Sequence, residues 1–337
     1  MQTIDPGDIS QPVLVTGANG FIGQRLVARL LTAGLQVRVM TRSTQKSLAL
    51  WGQAVEIVAA DIADAAAVAG AMQGIGTVFH LAAHVSDWDP GGLKNRAIHA
   101  GSRMIFSTAA AAGARTILVS SIAVYGEASG RDICPEDHPY GRPRSPYDHS
   151  KQVQETLAWA AVKDEGLKLV VIRPAVVYGP GSKAWVDEAV KSLRAGGPLL
   201  IDGGDCNAGL VYVENVIDML IKAAAAPAAL GRTYNACDGL DVSWRRYFTD
   251  LACLAGLPPP QSMPLSVARM KAFAYEMTWR LLRMQTRPPL TRGAVDTMVA
   301  NFRIPIDRAR RELGYEPRVA YEEGMAAVSE YMRQTYR

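Results

Sequence analysis

Val13-Leu-Val-Thr-Gly-Ala-Asn-Gly-Phe-Ile-Gly23 is an apolar run that breaks into three glycines and opens directly into a helical pattern. A chain that grips a pyrophosphate needs this order. Gly17 permits the sharp turn out of the strand, Gly20 lets backbone N–H groups approach phosphate oxygens, and Gly23 lets the helix pack closely on the strand. Asn19, Phe21 and Ile22 fall in the same loop and helix start and join the glycines as candidate cofactor-binding residues. A glycine triplet by itself also fits a merely tight turn. Here its context argues for the nucleotide site: Pro12 to Thr16 reads as a buried strand, and Leu26, Leu30 and Leu31 recur at helical spacing, with Gly34 as the stop.

Working outward, strand and helix alternate. Gln36 to Met40, Val55 to Ala59, Thr77 to His80, Thr116 to Ser120 and Leu169 to Ile172 read as further strands, with long helices over Leu93 to Ala112 and Pro146 to Glu165. Near-continuous apolar strands alternating with helices imply a parallel sheet covered on both faces. The expected fold class is therefore α/β, a Rossmann-type doubly wound parallel sheet. From about Gly179 the rhythm weakens into short strands near Leu199 to Ile201 and Leu210 to Val213, followed by helices. The expected organisation is a disordered extension over 1–10, a dinucleotide-binding domain over 11–180, and a smaller, mostly helical substrate-binding lobe over 181–337, some of whose segments return to the first domain.

Composition narrows the function. The 36 Lys plus Arg face 32 Asp plus Glu, a formal net charge of +4 without basic runs, so no electrostatic footprint for nucleic acid appears. The four cysteines lack CxxC spacing and the five histidines form no HExxH-type pair, so neither a disulfide framework nor a metal site is indicated. The first ten residues do not read as a secretory signal, and no apolar run reaches the roughly 18 to 20 residues a bilayer span requires. A cytoplasmic, reduced protein is expected.

Tyr147 and Lys151 stand four apart on the helix that follows Pro146, which puts both side chains on one face. An ammonium near a phenol favours the phenolate and makes it a usable proton carrier. Upstream, the strand from Thr116 ends in Ser120-Ser-Ile-Ala-Val-Tyr-Gly126, at the carboxyl edge where ligands of parallel sheets bind. A serine there can hydrogen-bond a carbonyl or hydroxyl, or simply cap the strand. His80, inside an expected buried strand, reads as a core histidine, and Tyr125 as packing.

These stretches resemble the extended short-chain dehydrogenase/reductase superfamily, through TGANGFIG, HLAA at 80–83, SSIAVYG at 120–126, YDHSK at 147–151 and RPAVVYGPG at 173–181. The resemblance covers roughly residues 12 to 330 and implies a catalytic Ser121, Tyr147 as general acid/base, and Lys151 binding the nicotinamide ribose while depressing the pKa of Tyr147. It implies that Asp61 and Ile62 lie at the adenine, that Leu81, Ala82 and Ala83 form the loop under the cofactor, and that Pro174 and Val176 line it. Asp61 also reads as a helix N-cap. The family's asparagine on the long helix falls at Ile98 here, with Asn95 a turn earlier as its substitute. A homodimer through the helices near 93–112 and 146–165 is also implied.

The second strand ends Met40-Thr41-Arg42-Ser43, with no carboxylate for ribose hydroxyls. Arg42 can pair with a 2′-phosphate, which favours NADP(H) and leaves NAD(H) open. Nucleotide-sugar members of the superfamily carry an arginine four residues before the tyrosine of the YVxD-like strand; in Ala208-Gly-Leu-Val-Tyr212 an alanine replaces it. Together with 288–292 and 306–317, this resembles the 3β-hydroxysteroid dehydrogenase-like branch and implies an oxidoreductase interconverting a secondary alcohol and a ketone on an apolar small molecule, a steroid or a β-keto or hydroxy acid. The alternatives are a nucleotide-sugar epimerase or dehydratase, and a non-catalytic dinucleotide-binding redox sensor. A greasy helix over Met263 to Met284, with Arg269, Glu276, Arg280 and Arg283 as a polar stripe, reads first as packed on the core or a partner subunit. A substrate lid or a shallow membrane-surface contact is its other reading.

Overall fold

The computed structural model describes residues 8–197 and 199–336. Most of the expected N-terminal extension lies outside the described residues. Its last part, Asp8 to Ser10, is described, and Ile9 is buried in the core.

Seven strands form one sheet in the order β3-β2-β1-β4-β5-β6-β10, every neighbouring pair parallel. They are β1 (Val13–Thr16), β2 (Val37–Thr41), β3 (Glu56–Ala59), β4 (Thr77–His80), β5 (Arg115–Val119), β6 (Lys168–Pro174) and, after a long excursion, β10 (Arg232–Ala236). The pleat explains the apolar runs. Val13, Val15, Ile117, Val119, Val170 and Ile172 face one core cluster, while Leu14, Leu118, Leu169 and Val171 face the other. Helices α1 (Phe21–Thr32) and α7 (Val213–Ala225) supply side chains to the first core; α3 (Ala65–Met72), α4 (Leu93–Ala111) and α5 (Pro146–Glu165) supply the second. Helix α2 (Thr44–Trp51) links β2 to β3. The strand order reverses direction between β1 and β4, the switch point beyond which ligands of such sheets bind.

Helix α5 is held in place by specific contacts. Pro146 occupies its first turn, the Ser145 hydroxyl accepts from the Asp148 N–H as N-cap, and Gly166 ends it in the left-handed conformation at φ 73°. Within α5 the fully buried Glu155 carboxylate accepts from Arg173 of β6 at 3.0 and 2.7 Å, and the Tyr140 hydroxyl donates to it at 2.8 Å. This forked pair sets the register of α5 on the sheet.

The remaining elements are β7 (Val176–Tyr178) paired with β9 (Leu210–Tyr212), β8 (Leu200–Ile201) paired with β11 (Ser262–Met263), and the helices α6 (Glu188–Arg194), α8 (Trp244–Leu254), α9 (Leu265–Leu281), α10 (Arg292–Met298), α11 (Asp307–Leu313) and α12 (Tyr321–Thr335). Strand β10 lacked a sequence signal because its five residues, Arg-Thr-Tyr-Asn-Ala, mix polar and apolar side chains. Its Asn235 is nevertheless fully buried, accepting from the Tyr125 hydroxyl at 2.7 Å.

Helix α9 departs from the sequence expectation. Ala268, Ala272 and Glu276 point inward, so Glu276 belongs to the buried side and not to a solvated polar stripe. Its carboxylate accepts from the Arg292 N–H and guanidinium at 2.8 and 2.9 Å, which makes an inward acid tolerable. A second apolar ridge, Met270, Phe273, Met277 and Leu281, faces out and is not packed on the core.

Candidate active site

Steric contact fixes the glycine loop. A Cβ on Gly17, where φ is +72°, would meet the Ala82 nitrogen at 2.8 Å, and one on Gly23 would meet the Gly17 carbonyl oxygen at 2.4 Å. Helix α1 begins at Phe21 with Gly20 as N-cap and no side chain capping it. Unsatisfied N–H groups and the positive end of the helix therefore point at the loop, an arrangement that fits an anionic dinucleotide.

Asn19 braces this loop. Its amide donates to Thr41 Oγ1 at 2.7 Å and to the Ser43 carbonyl at 3.2 Å, while its Oδ1 accepts from Ser47 at 3.0 Å. Its main-chain oxygen accepts the Lys46 ammonium at 2.9 Å. Lys46 escaped the sequence reading, although a cation in the first turn after β2 was the available signal. Arg42 is 82 % exposed and lies 3.7 Å from the Asp61 carboxylate. Asp61 accepts from the Ala63 N–H, but the N-cap of α3 is Asp64, whose side chain accepts from Ala67 at 3.1 Å. Ile62, in the loop after β3, packs against α4, where a Cβ at Gly101 would meet its Cγ1 at 2.4 Å. Leu81, Ala82 and Ala83 follow β4 at the same sheet edge, with the Leu81 N–H donating to the Thr16 carbonyl at 3.1 Å. Pro174 closes β6 and Val176 opens β7; both are buried.

Ser121, Tyr147 and Lys151 meet beyond the end of β5. Lys151 is buried and donates to the Val119 carbonyl at 2.9 Å and to Gln154 Oε1 at 3.0 Å. Ser121 does cap, accepting from the Ala123 N–H at 3.1 Å, and its hydroxyl also lies close enough to Tyr147 to favour the ionised phenol. Burial outweighs that effect and pushes the Tyr147 phenol up to about 12. The Lys151 ammonium, one helical turn away, is spent on Val119 and Gln154. Burial lowers Lys151 itself to about 8, opposed by the Glu155 carboxylate.

Gln154 is a second residue that sequence reasoning missed. Fully buried, it donates to Ser102 Oγ at 2.8 Å and to the Ala82 carbonyl at 3.1 Å while accepting from Lys151. Ser102 meets His80 Nε2 at 2.9 Å, and His80 Nδ1 meets Thr16 Oγ1 at 2.7 Å. A buried chain thus joins Lys151 to the end of β1. His80 is the satisfied core histidine expected of it, lowered to about 3 by burial and by the Lys151 ammonium. Asn95 serves elsewhere, donating to the Pro146 carbonyl at 3.3 Å at the start of α5.

The loop after Ala83 is strapped to the segment after α9. Asp87 accepts from Arg287 Nη2 at 2.7 Å and from Thr291, Trp88 Nε1 donates to the Met284 carbonyl at 3.3 Å, and the Arg280 guanidinium lies 5.8 Å from the centre of the Trp88 ring.

The family described as NAD dependent epimerase/dehydratase matches residues 13–237. Among curated proteins the chain is 30% identical over 322 residues to a 2-alkyl-3-oxoalkanoate reductase of Stenotrophomonas maltophilia, covering 93% of this chain and 97% of that one. It is 29% identical to a 4-hydroxy-2-methyl-3-oxo-4-farnesyl-3,4-dihydroquinoline-1-oxide ketoreductase of Stigmatella aurantiaca, covering 93% and 94%. Among solved structures, MoeE5 in complex with UDP-glucose and NAD is 26% identical, with a TM-score of 0.75 over 97% of this chain and 100% of that one.

Proposed function

Because the chain belongs to the NAD dependent epimerase/dehydratase family and is an enzyme of the short-chain dehydrogenase/reductase type acting on CH–OH groups, we propose that it interconverts a ketone and a secondary alcohol on a predominantly apolar substrate. The glycine loop, Asn19, Ile62, the Leu81 to Ala83 loop, Pro174 and Val176 would hold a nicotinamide dinucleotide, which supplies hydride chemistry when bound. In the reducing direction the Tyr147 phenol, protonated as its raised pKa requires, gives its proton to the substrate oxygen. Ser121 donates a hydrogen bond to that same oxygen, and Lys151 holds ribose hydroxyls beside Tyr147. The dinucleotide is NADP(H) on this reading, because Arg42 and Lys46 stand where no carboxylate ends β2, so that a 2′-phosphate meets two cations. NAD(H) is the alternative, favoured by the Asp61 carboxylate beside Arg42.

Ala208 carries the substrate reading. It is fully buried, and Phe302 presses on the next residue so closely that a Cβ at Gly209 would meet the Phe302 Cβ at 2.7 Å. The place where nucleotide-sugar members hold a phosphate-binding arginine is packed with apolar atoms, and a diphosphate there would lack its cation. The two ketoreductases among the relatives support the same reading, as does the resemblance to the 3β-hydroxysteroid dehydrogenase-like branch. The second reading is a nucleotide-sugar epimerase or dehydratase, favoured by the likeness to the UDP-glucose complex.

Nicotinamide absorbance with long-chain 3-oxo acids offered NADPH or NADH and with hydroxysteroids offered NADP+ or NAD+, run beside a UDP-glucose epimerisation assay, separates the two. Turnover of an apolar keto or hydroxy compound, abolished in Tyr147→Phe, is the expected result. UDP-glucose interconversion without net cofactor change would replace it with the second reading.

A further inference from the structure

Helix α9 has two opposite sides. Its inner side, Ala268, Ala272 and Glu276, packs inward, and its outer ridge, Met270, Phe273, Met277 and Leu281, is 48% to 83% exposed. Spacings of three and four residues place these four side chains on one stripe. Single exposed apolar residues are ordinary, whereas a contiguous ridge of them marks a contact surface. Leu282, the C-cap residue, is exposed as well.

The charge around the ridge identifies its partner. From Leu265 to Arg292 there are six cations, Arg269, Lys271, Arg280, Arg283, Arg287 and Arg292, against the single acid Glu276, which is buried. That excess is larger than the +4 of the whole chain. Arg269 pairs with Asp296, Arg287 with Asp87, and Arg280 and Arg292 with Glu276, while Lys271 and Arg283 meet no carboxylate among the described residues. A second copy presenting the same face would set cations against cations. A surface of lipid phosphates complements them and receives the apolar ridge between the headgroups.

We propose that α9 seats this protein on an anionic lipid bilayer, with Met270, Phe273, Met277 and Leu281 entering the headgroup boundary and Lys271 and Arg283 meeting phosphates. The contact is interfacial, because no helix among the described residues is long and apolar enough to cross a membrane. The end of α9 adjoins the strapped loop at Trp88, so the docked face borders the candidate site, where an apolar substrate would pass from lipid to enzyme. That supply role rests on the proposed ketone reading; the docking does not.

Co-sedimentation of the full chain with phosphatidylglycerol-containing and pure phosphatidylcholine vesicles tests it without any turnover measurement. Binding to the anionic vesicles is expected, weakened by salt, at least ten-fold weaker in Phe273→Glu/Leu281→Glu, and weaker in Lys271→Glu/Arg283→Glu. Circular dichroism melting of both variants should match the parent, since all four side chains are exposed. Absence of binding to anionic vesicles, or undiminished binding by both variants, overturns the proposal. A parent dimer in light scattering that becomes monomeric in Phe273→Glu/Leu281→Glu overturns it too, by assigning the ridge to a second copy.

Discussion

Gln154 uses its amide to hold Ser102 and the Ala82 carbonyl and its carbonyl to hold the Lys151 ammonium, so one side chain couples the loop after β4 to the cation on α5. Burial alone disfavours that ammonium, and each acceptor on it matters. Gln154→Leu leaves it the Val119 carbonyl and strips two buried acceptors of a donor, which should cost about 1 to 3 kcal/mol of stability. Losing an acceptor also lowers the Lys151 pKa, so the alkaline limb of kcat/KM should move to lower pH, whereas Gln154→Glu should move it higher. Unmoved limbs in both variants would remove Gln154 from the positioning of Lys151.

Helix α1 shows how an element can need a residue that its own propensity resists. Alanine is the better helix former by about 1 kcal/mol. At Gly23, however, a Cβ would strike two backbone oxygens, those of Gly17 and Ala18, at 2.4 and 2.7 Å. Gly23→Ala should therefore push α1 off the glycine loop, lowering the urea midpoint and weakening dinucleotide binding by ten-fold or more. Gly70→Ala in α3 is the control, because nothing lies within 4 Å of its Cβ, and it should stabilise by about 0.5 to 1 kcal/mol. Equal effects at the two glycines would refute the close-approach argument. Helix α9 makes the complementary point: its periodicity was legible, but a helix apolar on two sides does not announce which side meets the core.

Across the whole molecule, the His80 chain ties strands β1 and β4 to helices α4 and α5, and its protonation state is linked to global stability. The folded imidazole titrates near 3 against 6.5 for an exposed one. Between those values the unfolded chain binds a proton that the native state refuses, so this contribution is complete above pH 6.5 and is lost as pH falls toward 3. It should amount to a slope approaching about 1.4 kcal/mol per pH unit within that window. His80→Asn cannot titrate and should flatten the decline of denaturation midpoint between pH 6.5 and 4.5, even where it lowers the midpoint itself. Parallel curves for parent and variant would show that His80 carries none of the acid sensitivity.

By itself the sequence determined the parallel sheet, the glycine loop and the placing of Tyr147 and Lys151 on one helix face, while Ser121 was singled out by the family resemblance. The first three rest on local order: alternating apolar strands, a strand-to-helix turn, two side chains one helical turn apart. Tertiary structure alone decided the rest, because it depends on which distant segments become neighbours. Ser102 lies 52 residues from Gln154, and His80 lies 64 from Thr16. No periodicity encodes those meetings, and the return of β10 to the edge of β6 after a long excursion is equally non-local. The raised pKa of Tyr147 has the same origin: spacing put a cation one turn away, but it is burial in the folded chain that raises the proton affinity.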